Sequence, residues 1–151
     1  MYTLDTIDYA ILHELTQDAR KTIKELSEKV NLSAPAIATR IRRMRENETI
    51  VGYHAVLDYE KLGYEITALI QVAVPSELRE SFQAYLQKKS CVLSCDHITG
   101  SYAVLLRAVF RGRKELSLFV HEMEKFGKTQ TQMVLSSLLE PFSRISYEPD
   151  A

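Results

Sequence analysis

The side chains best suited to chemistry in this chain are arginines and lysines gathered in one short segment. From Arg20 to Arg45 the sequence holds eight basic residues and two acidic ones, although the net charge of all 151 residues is −1. The basic residues are Arg20, Lys21, Lys24, Lys29, Arg40, Arg42, Arg43 and Arg45. A positive patch confined to one segment is an electrostatic footprint for phosphates, so the pattern predicts a nucleic-acid-binding surface.

Two short helices joined by a tight turn are predicted to carry these charges, within a motif at about 22–41. The first covers Thr22–Val30 and ends at Asn31, a residue type that tolerates the left-handed conformation of a helix exit. The second begins after Ser33, which is placed to cap it. An earlier helix, capped by Asp5 or Thr6, precedes both. This order is typical of a helix-turn-helix, whose second helix enters the major groove of DNA.

The second helix of the motif has an apolar face formed by Ile37, Ile41 and Met44. The opposite face and its flanks are expected to approach base edges of double-stranded DNA through Pro35, Ala36, Thr39, Arg40 and Arg43. Ser33 and Arg42 are expected to hold phosphates. The alternative is an amphipathic helix whose charged side is only solvated, but the local charge surplus favours DNA contact.

Composition excludes several other classes of protein. The apolar fraction of 46% and the charged fraction of 26% are ordinary for a soluble globular protein. No apolar run approaches the roughly 20 residues that span a bilayer, and no signal region opens the chain, so we expect a cytoplasmic protein without membrane contact. Cys91 and Cys95 lie about 13 Å apart on a predicted strand, too far for a disulfide. We predict reduced thiols, and neither a metal nor a cofactor.

The chain is predicted to have two parts. Residues 1–50 form a helical DNA-binding domain, and 51–63 form a linker. A strand predicted at Ile50–Leu57 overlaps the start of the linker, and a hinge follows the strand. Residues 64–151 repeat the order strand, helix, strand twice, which is the ferredoxin-like plan of an α+β fold. The predicted strands are 68–74, 91–98, 104–110 and 130–139, and the predicted helices are 77–89 and 114–126.

Some strands of the second part are apolar on both sides. Leu69, Ala73, Val104 and Leu105 give this pattern. Helices can cover only one face of such a sheet, so we expect a second subunit to cover the other.

The whole pattern resembles the Lrp/AsnC, or feast/famine, family of transcription regulators, over nearly the full chain. The resemblance rests on Asp5–Leu15, Leu26-Ser27, Leu32-Ser33, Arg40-Ile41-Arg42-Arg43, Ile50, Gly52-Tyr53, Leu62-Gly63 and Thr99-Gly100-Ser101-Tyr102. It implies an N-terminal winged helix-turn-helix and a C-terminal ferredoxin-like βαββαβ domain that binds an effector and dimerises. It further implies homodimers gathered into tetramers or octamers, and control by an amino acid or another small metabolite.

The resemblance also implies an effector site between subunits. Its residues here would be Thr99, Gly100, Ser101 and Tyr102 in the loop, with Thr131 completing the pocket from a neighbouring subunit. Members that bind amino acids commonly carry an acid where this chain has Ala103, which offers no partner to an α-ammonium group. Either another residue such as Asp96 supplies the charge, or the effector is not an ordinary α-amino acid.

The chain departs from the family pattern at two helix ends as well. Asn31 stands where a glycine is usual, which is a mild change. Glu48 stands where a glycine usually closes the second helix of the motif, so we expect Asn47 to take the left-handed conformation there.

Two further functions stay open at this point. An architectural protein could wrap DNA without any effector. A chain of this plan could also be a sirohaem-decarboxylase-like enzyme that uses His97, His121, Tyr102 or Arg107 around a tetrapyrrole. An arginine-rich recognition helix favours a regulator that is not an enzyme.

Overall fold

The computed structural model describes residues 3–139 of the chain. These divide into two compact units, one built from residues up to Ala55 and the other from Val56–Leu138. The division falls inside the segment 51–63 that the sequence predicts as a linker. Residues 140–151 of the predicted second domain lie outside the described residues.

The first unit consists of three helices around a small apolar core. They are α1 (Thr6–Gln17), α2 (Ile23–Val30) and α3 (Ala34–Glu46). Each helix contributes a stripe of apolar side chains at helical spacing, and burial of those stripes holds the three together. The centre of this core has no exposed surface and consists of Ile11, Leu26, Ile37 and Met44.

The first two helices begin with reciprocal capping boxes. The Asp5 side chain accepts the backbone N–H of Asp8, whose own carboxylate accepts the N–H of Asp5. Thr22 and Glu25 make the same exchange at α2. Each cap stabilises its helix by about 1 kcal/mol. Asn31 closes α2 with a φ of 55°, which confirms the left-handed exit predicted there.

Helix α3 begins differently from the prediction. Ser33 is its N-cap residue, but the hydroxyl makes no capping hydrogen bond. Pro35 occupies the second helical position and has no N–H, which removes one of the two amides that such a hydroxyl ordinarily bonds. The Ser33 carbonyl still accepts the N–H of Ile37 at 3.1 Å. The serine hydroxyl is therefore exposed to solvent.

The end of α3 corrects a second prediction. The left-handed residue is Glu48, with a φ of 60°, and not Asn47, whose φ is −97°. The Asn47 side chain accepts the backbone N–H of Thr49 at 3.2 Å and its hydroxyl at 2.7 Å. This local turn keeps Asn47 right-handed and moves the reversal of the chain one residue further.

The predicted strand at Ile50–Leu57 is absent from the single chain. Residues 51–57 form neither helix nor strand. A strand requires a neighbour to complete its hydrogen bonds. The described residues of the first unit contain no strand, so the wing implied by the family resemblance is not present in it either.

The second unit is the predicted ferredoxin-like α+β fold. A four-stranded antiparallel sheet has the order β2-β3-β1-β4, and both helices pack on one face. The strands are β1 (Ile66–Val72), β2 (Val92–His97), β3 (Val104–Phe110) and β4 (Thr129–Met133). The helices are α4 (Arg79–Leu86), after a short 3-10 turn at Ser76–Leu78, and α5 (Arg113–Glu124).

Strand register assigns each side chain to a face of the sheet. Ala68, Ile70 and Val72 lie opposite Ala108, Leu106 and Val104, and all six are buried against the helices. The alternate residues point to the other face, which no helix covers and which we call the outer face. Leu69 and Leu105 lie on it as predicted, whereas Val104 belongs to the core.

Two element ends differ from the prediction for physical reasons. The last strand stops at Met133 instead of continuing to 139. The Val134 N–H donates to the carbonyl of Thr67, near the start of β1, so no partner remains beyond this point. Pro75 precedes a tight 3-10 turn, and the helix predicted at 77–89 is regular only from Arg79 to Leu86.

Candidate nucleic-acid interface and effector loop

Helix α3 presents a cationic surface to solvent. Ile37 and Met44 hold its inner face in the core, so residues half a turn away point outward. Arg42, Arg43 and Arg45 are all exposed. The structure therefore places three guanidinium groups on or beside the face that the sequence predicts to contact DNA.

Arg40 differs from these three arginines because its guanidinium is paired within the domain. Its guanidinium donates to a carboxylate oxygen of Asp5 at 2.7 Å and to one of Asp8 at 2.8 Å. Among the residues that the structure describes, Asp8 is the one charged residue with a buried side chain, and 1% of its surface is exposed. Arg40 therefore joins α3 to α1 through its guanidinium.

Electrostatics around Arg40 reinforce this role. The hydrogen bonds to Asp8 and then Asp5 raise the pKa of the Arg40 guanidinium, although burial acts in the opposite direction. Burial raises the pKa of Asp5, but hydrogen bonds from the backbone of Asp8 and from Arg40 outweigh it and leave that pKa below its usual value. Both shifts favour the charged pair that links α3 to the start of α1.

The remaining predicted DNA contacts lie along the exposed side of α3. Arg42 has only a loose pair with Glu46 at 3.9 Å, and its side chain is 69% exposed. Arg43 forms no ion pair with any residue in 3–139. Ser33 and Pro35 are exposed at the helix start, and Ala36 and Thr39 are half-buried. Helix α3 and its N-cap residue thus carry all the predicted contacts, and Arg40 is the one turned toward α1.

A groove beside α3 was not anticipated from the sequence. It has a volume of about 790 Å³ and lies among α2, α3 and the residues that follow α3. Its apolar lining is Ile23, Ala38, Ile41, Ile50 and Val51, and its polar lining is Arg42, Arg45, Glu46 and Glu48. The sequence did contain a signal for this groove, namely the apolar pair Ile50-Val51 shortly after the charged end of α3.

The predicted effector loop is an exposed connection between β2 and β3. The Ile98 N–H donates to the carbonyl of Ala103 at 2.9 Å and closes the loop. Gly100 has a φ of 112°, and nothing would touch a side chain placed there. Thr99, Gly100 and Ser101 are exposed and Tyr102 is half-buried. The loop therefore offers backbone groups and one aromatic ring to solvent.

Thr131 does not join that loop within one chain. It lies on β4, at the opposite edge of the sheet from β2, and pairs with Ile70 on the helix-covered face. Three strand spacings separate the two edges, or about 14 Å. The Thr131 hydroxyl is buried and has no hydrogen-bond partner in the part of the chain that the structure describes. One protomer alone does not assemble the predicted effector site.

The groups considered for other chemistry are dispersed. His97 lies at the end of β2, and His121 is exposed on α5 and 3.3 Å from Glu124. Arg107 lies on the outer face of the sheet, away from α5. Cys91 and Cys95 are both free thiols, and burial raises the pKa of each. The structure does not gather the four candidate tetrapyrrole ligands into one site.

Among residues 3–139, no group of three or more His, Cys, Asp or Glu side chains is placed to hold a metal ion. No helix in this range is long and apolar enough to cross a membrane.

A three-helix unit with a basic second motif helix, followed by a ferredoxin-like domain, defines a two-domain helix-turn-helix regulator. Comparisons with known proteins agree. Residues 4–45 match the AsnC-type helix-turn-helix domain, and residues 67–143 match the Lrp/AsnC ligand binding domain. A helix-turn-helix transcriptional regulator of Pyrococcus furiosus is 30% identical over 142 residues, which cover 92% of this chain and 96% of the relative.

Solved structures show the same similarity. Bacillus subtilis LrpC superposes with a TM-score of 0.87 at 26% identity, over 91% of this chain and 98% of the other. A Neisseria meningitidis transcriptional regulator, solved as a complex with L-Met, gives a TM-score of 0.84 at 31% identity over 97% of both chains. The chain belongs to the Lrp/AsnC family of DNA-binding transcriptional regulators.

Proposed function

We propose that α3 of this regulator enters the major groove and reads its operator chiefly through Arg43 and Thr39. Arg42 and Ser33 hold flanking phosphates, while Pro35 and Ala36 bring the start of the helix close to the bases. The observation that carries the proposal is the outward, weakly paired set of Arg42, Arg43 and Arg45 on a helix anchored by Arg40. Arginine is the commonest reader of guanine because its two N–H groups match two acceptors on the base.

The regulator works as a homodimer, in this proposal, and the dimers gather into tetramers or octamers. The support lies in apolar surface that one chain leaves uncovered. Leu69 and Leu105 project from the outer face of the sheet, and Val51, Val56 and Leu57 are 88%, 64% and 51% exposed. Apolar surface of this kind marks association sites. Two DNA-binding units would then meet half-sites separated by about one helical turn, or a multiple of it.

An amino acid or a related small metabolite is the proposed effector, bound between subunits at the loop of Thr99, Gly100, Ser101 and Tyr102 with Thr131 from a neighbour. The match to a ligand binding domain and the L-Met complex of the Neisseria regulator support this choice. Ala103 supplies no charge, so an α-ammonium group would need another acid, such as Asp96, which lies three residues before Thr99. A metabolite without that group needs no such partner.

The test is a titration of labelled DNA from the gene's own promoter region with the full chain. We expect saturable binding that weakens with salt, since each phosphate contact releases counterions. L-Methionine and a panel of other amino acids are then added at fixed DNA and protein concentrations. Absence of specific DNA binding would overturn the proposal, and a pale, uncoloured protein argues against a bound tetrapyrrole.

A second candidate, an architectural protein that bends DNA without an effector, is favoured by one observation, the methyl group of Ala103 at the position of the usual acid. The same titration separates the two. If no metabolite in the panel changes DNA affinity, the result supports the architectural function. DNA bending, measured by ligation of short DNA circles, tests that function directly. Either protein acts on the chromosome without catalysis, and we therefore place it in the cytoplasm.

A further inference from the structure

The outer face of the sheet carries two charged side chains among the residues of its four strands. Arg107 lies on β3, opposite Leu69 on one side and Ser94 on the other. Asp96 lies on β2, opposite Leu105. Their neighbours on this face are apolar or uncharged. If a second chain covers the apolar side chains of this face, burying either charge is unfavourable unless it meets an opposite charge there.

Arg107 and Asp96 are close in the sheet but are not paired. In antiparallel register they are diagonal neighbours, whose Cα atoms are about 7–8 Å apart. No ion pair joins them, and neither pairs with another residue in 3–139. Arg107 is half-buried already, so a partner on this face would desolvate it further. An arginine buried without an acceptor is strongly destabilising.

We propose that Arg107 of one protomer pairs with Asp96 of the partner subunit, and that the two reciprocal pairs fix the register and partner choice of the homodimer. The inference rests on the proposed dimer through the outer face. A two-fold interface repeats every contact, so one face that carries one cation and one anion is self-complementary. It also excludes a register that brings two copies of Arg107 together, because like charges repel across an interface.

Charge reversal tests this inference in the full chain. Arg107→Glu places two acids at each contact, and Asp96→Lys places two cations there. Each variant alone should dimerise about 100-fold more weakly than the parent chain, or about tenfold for each of the two pairs. An equimolar mixture should regain the dimer, because a mixed dimer has one Glu–Lys pair and one Arg–Asp pair.

Native mass spectrometry of the mixture gives the decisive readout, with one chain carrying a mass label. Almost exclusively mixed dimers support the proposal. A statistical mixture, in which half of the dimers are mixed, overturns it, and this is also the result expected if the two residues pair within one chain. The measure is a ratio of species and stays valid if other surfaces contribute to assembly.

Milder variants keep the test decisive if charge reversal prevents folding. Arg107→Gln, Asp96→Asn and the double variant form a cycle of dimer dissociation constants. The double variant should dimerise at least as tightly as the weaker of the two single variants. If the effects of the two single substitutions on the dissociation constant simply multiply in the double variant, the proposed pair is overturned. A monomeric parent chain at micromolar concentration overturns the proposed dimer as well, whereas a dimeric parent with uncoupled residues overturns this inference alone.

Discussion

The two units of the chain differ in how much of their functional surface one protomer completes. In the first unit, Arg40 binds Asp5 and Asp8 inside the same domain, and α3 thereby receives a fixed orientation. In the second unit, Arg107 and Asp96 lie on the outer face of the sheet without an ion-pair partner in 3–139, and the loop at Gly100 lies at the other edge from Thr131. In the first unit, the internal ion pair supports the DNA-binding helix without help from a second chain. The unpaired groups of the second unit are consistent with the proposed association with a second chain.

The largest expected effect concerns the internal ion pair. Asp8→Ala should lower the free energy of unfolding of the first unit by about 2–3 kcal/mol, because Arg40 keeps only Asp5 and half of the α1 capping box is lost. The second unit should be unaffected. Hydrogen exchange resolved by residue measures the two units separately in the full chain.

Asp5→Ala is the matched control for that experiment. It removes the other carboxylate on Arg40, but the Asp5 side chain is 51% exposed and Asp8 would still hold the guanidinium. We expect a loss of about 1 kcal/mol, chiefly from the cap. Equal losses for both variants would show that burial of Asp8 does not matter.

Two arginine variants should distinguish base reading from phosphate binding. Arg43→Ala should cost about 1–3 kcal/mol at the preferred operator and relax specificity at one base pair. Arg42→Ala should weaken all sequences alike and reduce the salt dependence by about one phosphate contact. Fluorescence anisotropy at several salt concentrations, on operator and scrambled DNA, distinguishes the two. Unchanged affinity in both variants means that another helix reads the DNA.

Much of this arrangement was predictable, because it depends on residues close in sequence. Periodicity located the five α-helices and four strands found in residues 3–139, and capping signals located Asp5 and Asn31. The role of Arg40 was not predictable, since helical spacing assigns a residue to a face but does not show that α1 brings two carboxylates to it. Strand propensity at 51–57 likewise supplies no hydrogen-bond partner. The family resemblance assigns Thr131 and the loop at Gly100 to one effector site. Only the sheet order shows that they lie at opposite edges within one chain.

The effector loop gives the next prediction. Gly100→Asp should abolish any effect of a metabolite on DNA binding, with a lost coupling of about 1–3 kcal/mol, while the free protein keeps its DNA affinity. The φ of 112° is strained for any other residue, and a carboxylate would occupy the open loop. Binding of the same DNA with and without the metabolite measures the coupling.

Gly112→Asp provides a matched control for the loop variant. Its φ of 179° is extended backbone, nothing lies within 4 Å of an added side chain, and aspartate is a favourable residue at the N-cap of α5. It adds the same charge to the same unit and should respond to the metabolite as the parent does. If Gly100→Asp responds in that way too, the pocket lies elsewhere.

The smallest expected effect is at the end of α3, where a residue other than glycine takes the left-handed conformation. Glu48→Gly should stabilise the first unit by about 0.5–1 kcal/mol, because it relieves a backbone strain of about 1–2 kcal/mol and loses part of that gain to the greater freedom of glycine when unfolded. Asn47→Gly should instead destabilise it, since Asn47 is right-handed and its side chain holds Thr49. The two variants differ by one position and carry opposite expected signs, which denaturant unfolding followed by helical circular dichroism can resolve. A gain from Asn47→Gly and none from Glu48→Gly would place the reversal of the chain where the sequence alone had put it.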